Sequence, residues 1–146
     1  MEKLKILIVE DNLEYIKAAE KAFQNFEMEV AETYAEAEKL VEKFKVDIAF
    51  VDMYFPKAKG LEQECMGIKF GKELQKKGIP FLIVKGNVGG QAELWGWDPI
   101  KDDSECVTWL DQLFSPKTEP KTWKDAMDYL MEEVLETTLE EFLKKK

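Results

Sequence analysis

Three acids stand where short apolar runs stop: Glu10 and Asp11 follow Ile6-Leu-Ile-Val9, and Asp52 follows Ile48-Ala-Phe-Val51. If the two runs are strands of one sheet, their carboxylates come within a few ångström of each other. Two like charges at 4 Å cost about 4 kcal/mol at an effective dielectric near 20, and a bound cation or a proton offsets that cost. Oxygen ligands suit a hard ion that keeps several waters, so Mg²⁺ or Mn²⁺ is the expected ligand. Asp and Asn also favour caps and turns for purely structural reasons. What points to a site is that two buried strands both end in acids. Lys85, after Phe81-Leu-Ile-Val84, ends a further run. Its four-carbon stem lets an ammonium reach a carboxylate or phosphoryl oxygen on the same sheet edge, the alternative being a solvated surface lysine.

Other chemistries are closed to this chain. It contains no His, so imidazole is unavailable as base, metal ligand or phosphate carrier, and all 21 basic residues are Lys. A net charge of -9 opposes the phosphate attraction that dominates nucleic-acid affinity, and without Arg there is no bidentate fork to read guanine. Nucleic acid is therefore not an expected partner. The apolar runs are far shorter than the roughly 20 residues of a membrane span, and Met1 to Lys5 leads into the first run without a signal-peptide pattern. A cytoplasmic location with no membrane contact is expected. Cys65 and Cys106 lack C-x-x-C spacing and are read as idle or buried thiols.

The elements that must position the acids follow from periodicity. The 146 residues, 45% hydrophobic and 35% charged, suit a single domain over 1–146. Lys3 to Val9 reads as a doubly buried strand, and Leu13, Ile16, Ala19, Phe23 and Phe26 mark one face of a helix. A short strand near Met28 to Ala31 precedes Thr33-x-x-Glu36, a capping box for a helix burying Ala37, Leu40, Val41 and Phe44. Val46 to Val51 is the next strand, and Pro56 breaks it. Lys57 to Met66 reads as a long polar loop, Gly67 to Lys77 as a helix and Phe81 to Val84 as a strand. Glycines from Gly89 to Gly96 leave room only for a short helix near Gln91 to Trp95. Glu105 to Leu110 is the expected last strand. An extended C-terminal helix, near 122–146, carries Trp123, Met127, Leu130, Met131 and Val134. Its Met and aromatic stripe reads as core, with a homodimer or partner groove as the alternative. Alternating continuous strands and helices predict an α/β fold, a doubly wound parallel sheet with helices on both faces. Ligands of such sheets bind outside the carboxyl ends of the strands, where Glu10, Asp11, Asp52 and Lys85 all fall.

The motif Ile6-Leu-Ile-Val-Glu-Asp-Asn12 resembles the first strand of response-regulator receivers, in which an acidic pair helps to hold Mg²⁺. Asp52-x-x-x-Pro56 is similar to the segment carrying the phosphoacceptor aspartate of that family. Gly67-Ile-x-Phe-Gly and Ile79-Pro-Phe-Leu-Ile-Val84 are similar to its third helix and fourth strand. The resemblance covers Lys3 to Val84. It implies a flavodoxin-like, receiver-type sheet of five parallel strands in order 2-1-3-4-5, the order already known for receivers. It also implies that Asp52 is the phosphoacceptor and a metal ligand together with Asp11. Glu10 supports the metal, often through water, and the backbone carbonyl of Tyr54 completes the protein ligands.

Three departures from the family stand out. Lys85 replaces the Ser or Thr that ends strand four. The Lys-Pro pair after strand five corresponds to Gln112-Leu113, so its lysine is missing, and Trp109 falls at the aromatic switch position or fills core. The loop before the Gly67 helix is longer than usual. The expected function is that of a stand-alone, Mg²⁺-dependent signalling protein, not an enzyme. It accepts a phosphoryl group on Asp52 from a histidine kinase or phosphotransfer partner. The alternative is a phosphorylation-independent pseudo-receiver serving as an interaction module. A metal-dependent phosphohydrolase would call for a second acid two residues after Asp52, and Tyr54 stands there.

Overall fold

A computed structural model of the chain describes residues 3–96 and 107–144. Its first half alternates as the hydrophobic pattern requires: β1 (Lys5–Val9), α1 (Leu13–Ala22), β2 (Glu27–Ala31), α2 (Tyr34–Lys43) and β3 (Ile48–Val51). Asn12 caps α1, its Oδ1 accepting from the amides of Glu14 and Tyr15 at 3.0 and 3.3 Å. Thr33 caps α2 through the Glu36 amide. The Glu36 carboxylate closes the box one residue further out than the motif predicts, on the amide of Glu32.

β4 (Phe55–Pro56) and β5 (Gln63–Glu64) come next, then α3 (Gly67–Lys76), β6 (Phe81–Gly86), β7 (Ala92–Gly96), β8 (Thr108–Gln112), α4 (Pro120–Tyr129) and α5 (Leu139–Lys144). The six-stranded sheet has the order β2-β1-β3-β6-β7-β8, and its first four strands are parallel. Val9 lies level with Val51, so the residues that follow each, Glu10 and Asp52, leave the sheet at one edge. Side chains alternate between two cores. Ile6, Ile8, Ile48, Phe50, Leu82 and Val84 meet α1 and α4, and Leu7, Val9, Ala49, Val51 and Ile83 meet α2 and α3. Phe50 stacks on Phe23 at 5.5 Å and meets Trp123 edge-on at 6.4 Å. No helix among the described residues is long and apolar enough to cross a membrane.

The flavodoxin-like α/β class holds, and several details depart from the sequence expectation. The sheet has six strands, not five, because Gln91 to Trp95 is not a helix. Ala92–Gly96 forms β7, antiparallel to β6 and to β8. Gly89 and Gly90 belong to a tight turn: Asn87 exchanges backbone hydrogen bonds with Gln91 and Gly90, and Gly90 adopts φ +84°. The last strand begins at Thr108, and the earlier part of its predicted span, with Cys106, lies outside the described residues. Cys65 is an exposed free thiol. The 57–66 loop is partly ordered as a β4–β5 hairpin. The C-terminal helix is not continuous. Leu130–Val134 widens into a π turn closed by Leu135 N to Leu130 O, Glu136 takes a positive φ of 48°, and α5 starts afresh behind Thr138.

Candidate functional site

Glu10 and Asp52 are pinned by the strands beside those they leave, β2 and β1. The Glu10 amide donates to Ala31 O at 2.9 Å and the Asp52 amide to Val9 O at 2.8 Å. Glu10, Asp11 and Asp52 each offer a carboxylate oxygen within 4.8 Å of the others. Glu10 is buried, and its Oε2 accepts from the amides of Asp11 and Asn12. Asp52 Oδ1 accepts from its neighbour's amide, Met53 N, at 2.8 Å.

The cation of the cluster is Lys117, which the sequence reading missed. Its Nζ lies 2.5 Å from Glu10 Oε1 and 3.2 Å from Asp52 Oδ1, and its side chain is 2% exposed. It also sits 4.8 Å from the ring centroid of Tyr15 and 5.8 Å from that of Trp123. The loop that delivers it is built for the purpose. Trp123 Nε1 donates to Lys117 O at 2.9 Å, Thr122 Oγ1 donates to Pro116 O, and the Ser115 hydroxyl lies 2.6 Å from that of Thr122. The lysine after the last strand is therefore present. Gln112-Leu113 is not its counterpart: the chain runs on through Ser115-Pro116 before presenting it. Among 21 lysines, only the neighbouring Pro116 and the tryptophan six residues later hinted at this one.

Lys85 is the last but one residue of β6, half-buried, and enters no ion pair among the described residues. The contact with Glu10 and Asp52 proposed for it from position belongs to Lys117. Tyr54 lies two residues beyond Asp52 in the turn to β4, with its side chain half exposed. Trp109 is on β8, opposite Trp95 and half exposed, so it is not buried core. A residue of the long hairpin enters the cluster unannounced: Gln63 Nε2 donates to Asp11 Oδ2 at 2.6 Å.

Burial raises the Glu10 carboxyl to about 7; Lys117 opposes the rise and Asp52 adds to it. Burial alone would lower Lys117, but Glu10 and then Asp52 outweigh it and hold the ammonium above the usual lysine range. With all groups ionised, three carboxylates and one ammonium leave two net negative charges. Hard oxygen donors and a double negative charge make the cluster compatible with a divalent cation.

No protein-family model and no curated protein matches the sequence. Among solved structures, the chain is similar to the chemotaxis response regulator CheY4 of Vibrio cholerae, 20% identical over 88% of this chain and 99% of that one, with a TM-score of 0.58. It also matches a CheY-like receiver domain protein from Methanospirillum hungatei JF-1, 23% identical over 60% of this chain and 67% of that one, with a TM-score of 0.49. The likeness to the Vibrio protein spans nearly both chains and, with the parallel β2-β1-β3-β6 core, it identifies the fold as that of a response regulator receiver domain.

Proposed function

We propose that this chain is a phosphoacceptor signalling module in which Asp52 takes a phosphoryl group from the phosphohistidine of a kinase or phosphotransfer protein. The observation that carries the reading is Lys117 held against Glu10 and Asp52 at the carboxyl edge of β1 and β3. Asp52 Oδ1 is occupied by Met53 N and Lys117, whereas Oδ2 has no hydrogen-bond partner among the described residues. Oδ2 is therefore the attacking oxygen. Its bond to phosphorus forms as the P–N bond breaks, and the departing imidazole nitrogen keeps the bonding pair and takes up a proton. Lys117 then faces the phosphoryl group as a fixed ammonium.

Asp11, Asp52 and the Tyr54 carbonyl would hold Mg²⁺ or Mn²⁺, supported by Glu10. When bound, the ion supplies positive charge to the phosphoryl oxygens. A partner is also expected at this edge. Of the six exposed large apolar side chains among the described residues, Leu13 opens α1 and Tyr54, Leu61, Val88 and Phe114 sit in loops, all at the carboxyl end of the parallel strands. Such a collar around a polar site suits a protein that must cover the pocket to deliver its phosphoryl group. The cytoplasm, where such kinases present phosphohistidine, is the proposed location.

One observation favours a second reading, an interaction module that does not switch by phosphorylation: Lys85 stands where the family carries a hydroxyl. Intact mass after incubation with acetyl phosphate and Mg²⁺ separates the two. Gain of one phosphoryl group by the wild type, absent in Asp52→Asn, supports the phosphoacceptor. No gain, either with the small donor or with a phosphorylated kinase, leaves the interaction module.

A further inference from the structure

The hairpin that lengthens the loop after β3 does more than cover the surface. Phe55 pairs with Glu64 and Pro56 with Gln63, so the hairpin folds back over the edge where the acids stand. Phe55 is fully buried at its base, and the Ala35 amide at the start of α2 donates to Lys57 O at 3.1 Å. These anchors fix the reach of Gln63, whose carboxamide donates to Asp11 Oδ2. Asp11 Oδ1 keeps no hydrogen bond among the described residues. One oxygen of this carboxylate is thus held by the hairpin and the other is left for a ligand.

We propose that Gln63 is a positioning residue of the cation site, which fixes the Asp11 carboxylate for a divalent ion and in return ties the hairpin to the state of the pocket. This rests on the metal reading above. A carboxylate that binds a metal through one oxygen is oriented by a donor on the other, and losing such a donor weakens metal binding about 10- to 100-fold. Coupling between two sites is reciprocal. If Gln63 tightens the ion, the ion tightens the hairpin by the same factor, and the exposed Leu61 near its tip becomes a more ordered surface when the pocket is filled.

The test is calorimetric titration of Mg²⁺, and separately Mn²⁺, into wild type, Gln63→Ala and Asp11→Asn, with hydrogen exchange of the hairpin amides in each metal state. Gln63 is exposed, so Gln63→Ala is expected to fold with an unchanged metal-free melting temperature. The expected result is about tenfold weaker metal binding in Gln63→Ala. Hairpin exchange should slow with metal in the wild type and not in the variant. Equal affinities overturn the proposal, and so does tighter binding in Gln63→Ala, which would make the glutamine an obstruction. Wild type that binds no metal overturns the metal reading itself, a failure distinct from either.

Discussion

Lys117 and Glu10 meet inside the protein, 2% and 1% exposed, and each makes the other tolerable there. Desolvating both ions costs several kcal/mol, and removing one partner strands the other as an uncompensated charge, typically a loss of 3–5 kcal/mol. Lys117→Met, which keeps most of the volume, should therefore lower metal-free stability by about that much at pH 8, as read by urea unfolding. The deficit should shrink at pH 5, where Glu10 is protonated and no longer needs the ammonium. Glu10 also gives stability a pH dependence of its own. Its folded value of about 7 exceeds the ordinary 4.5, so between those values the folded state holds a proton that the unfolded chain releases. The contribution is complete below 4.5 and is lost as pH rises through 7, a change of about 3 kcal/mol. Urea melts across that window should show a falling slope that Glu10→Gln flattens. A matching slope in the variant would place the proton elsewhere. The acids of this cluster were legible because strands ended in them; the lysine was not. A buried ammonium has the same letter as a surface one, and its burial depends on Trp123 and Thr122, which hold its loop from the next helix.

At the scale of elements, α3 sets the shape of the turn that carries Asp52. Its first residue, Gly67, donates to Met53 O at 3.0 Å, and a Cβ there would collide with the carbonyl oxygen of Asp52 and lie 2.8 Å from Met53 Cα. Backbone cannot move aside as a flexible side chain can. Gly67→Ala should cost about 1–3 kcal/mol by overpacking and weaken metal binding as the Asp52 turn shifts. Gly86→Ala meets nothing within 4 Å and should do neither, a contrast that thermal melts with and without Mg²⁺ would check. The sequence led reliably to the four parallel strands, though not to the β4–β5 hairpin between them, because continuous apolar runs have few other uses than buried parallel strands. It failed at β7, where glycines read as breakers close a hairpin. The alternation of buried Ala92 and Leu94 with half-buried Glu93 and Trp95 was the overlooked signal, short enough to be mistaken for one helical turn. The C-terminal stripe was sound as core but silent about its π turn, which leaves the apolar spacing nearly intact.

Across the whole molecule, the site draws Glu10 and Asp11 from the first strand's end, Asp52 from the middle of the chain and Lys117 from beyond the last strand. Only the assembled sheet, with α1 and α4 packed on one face, brings these groups together. A ligand of this pocket therefore binds the folded state and not the unfolded chain, and stabilises the protein by mass action, about 2.7 kcal/mol at a hundredfold excess over its dissociation constant. For a chain of 146 residues that corresponds to a melting temperature higher by about 5–10 °C. The gain should rise with pH towards 8, because a proton on Glu10 competes with the ion. It should fall only modestly in 0.2 M salt, because the cluster is largely buried and poorly screened. Asp11→Asn should remove most of it. Asp52→Asn should remove it too while raising the metal-free melting temperature, since one crowded charge disappears from a cluster with two to spare. Scanning calorimetry of the three proteins at pH 6 and 8, with and without saturating Mg²⁺, reads all of these at once. Coincident wild-type curves at pH 8 would mean that Lys117 alone balances the acids and that the pocket takes no divalent ion.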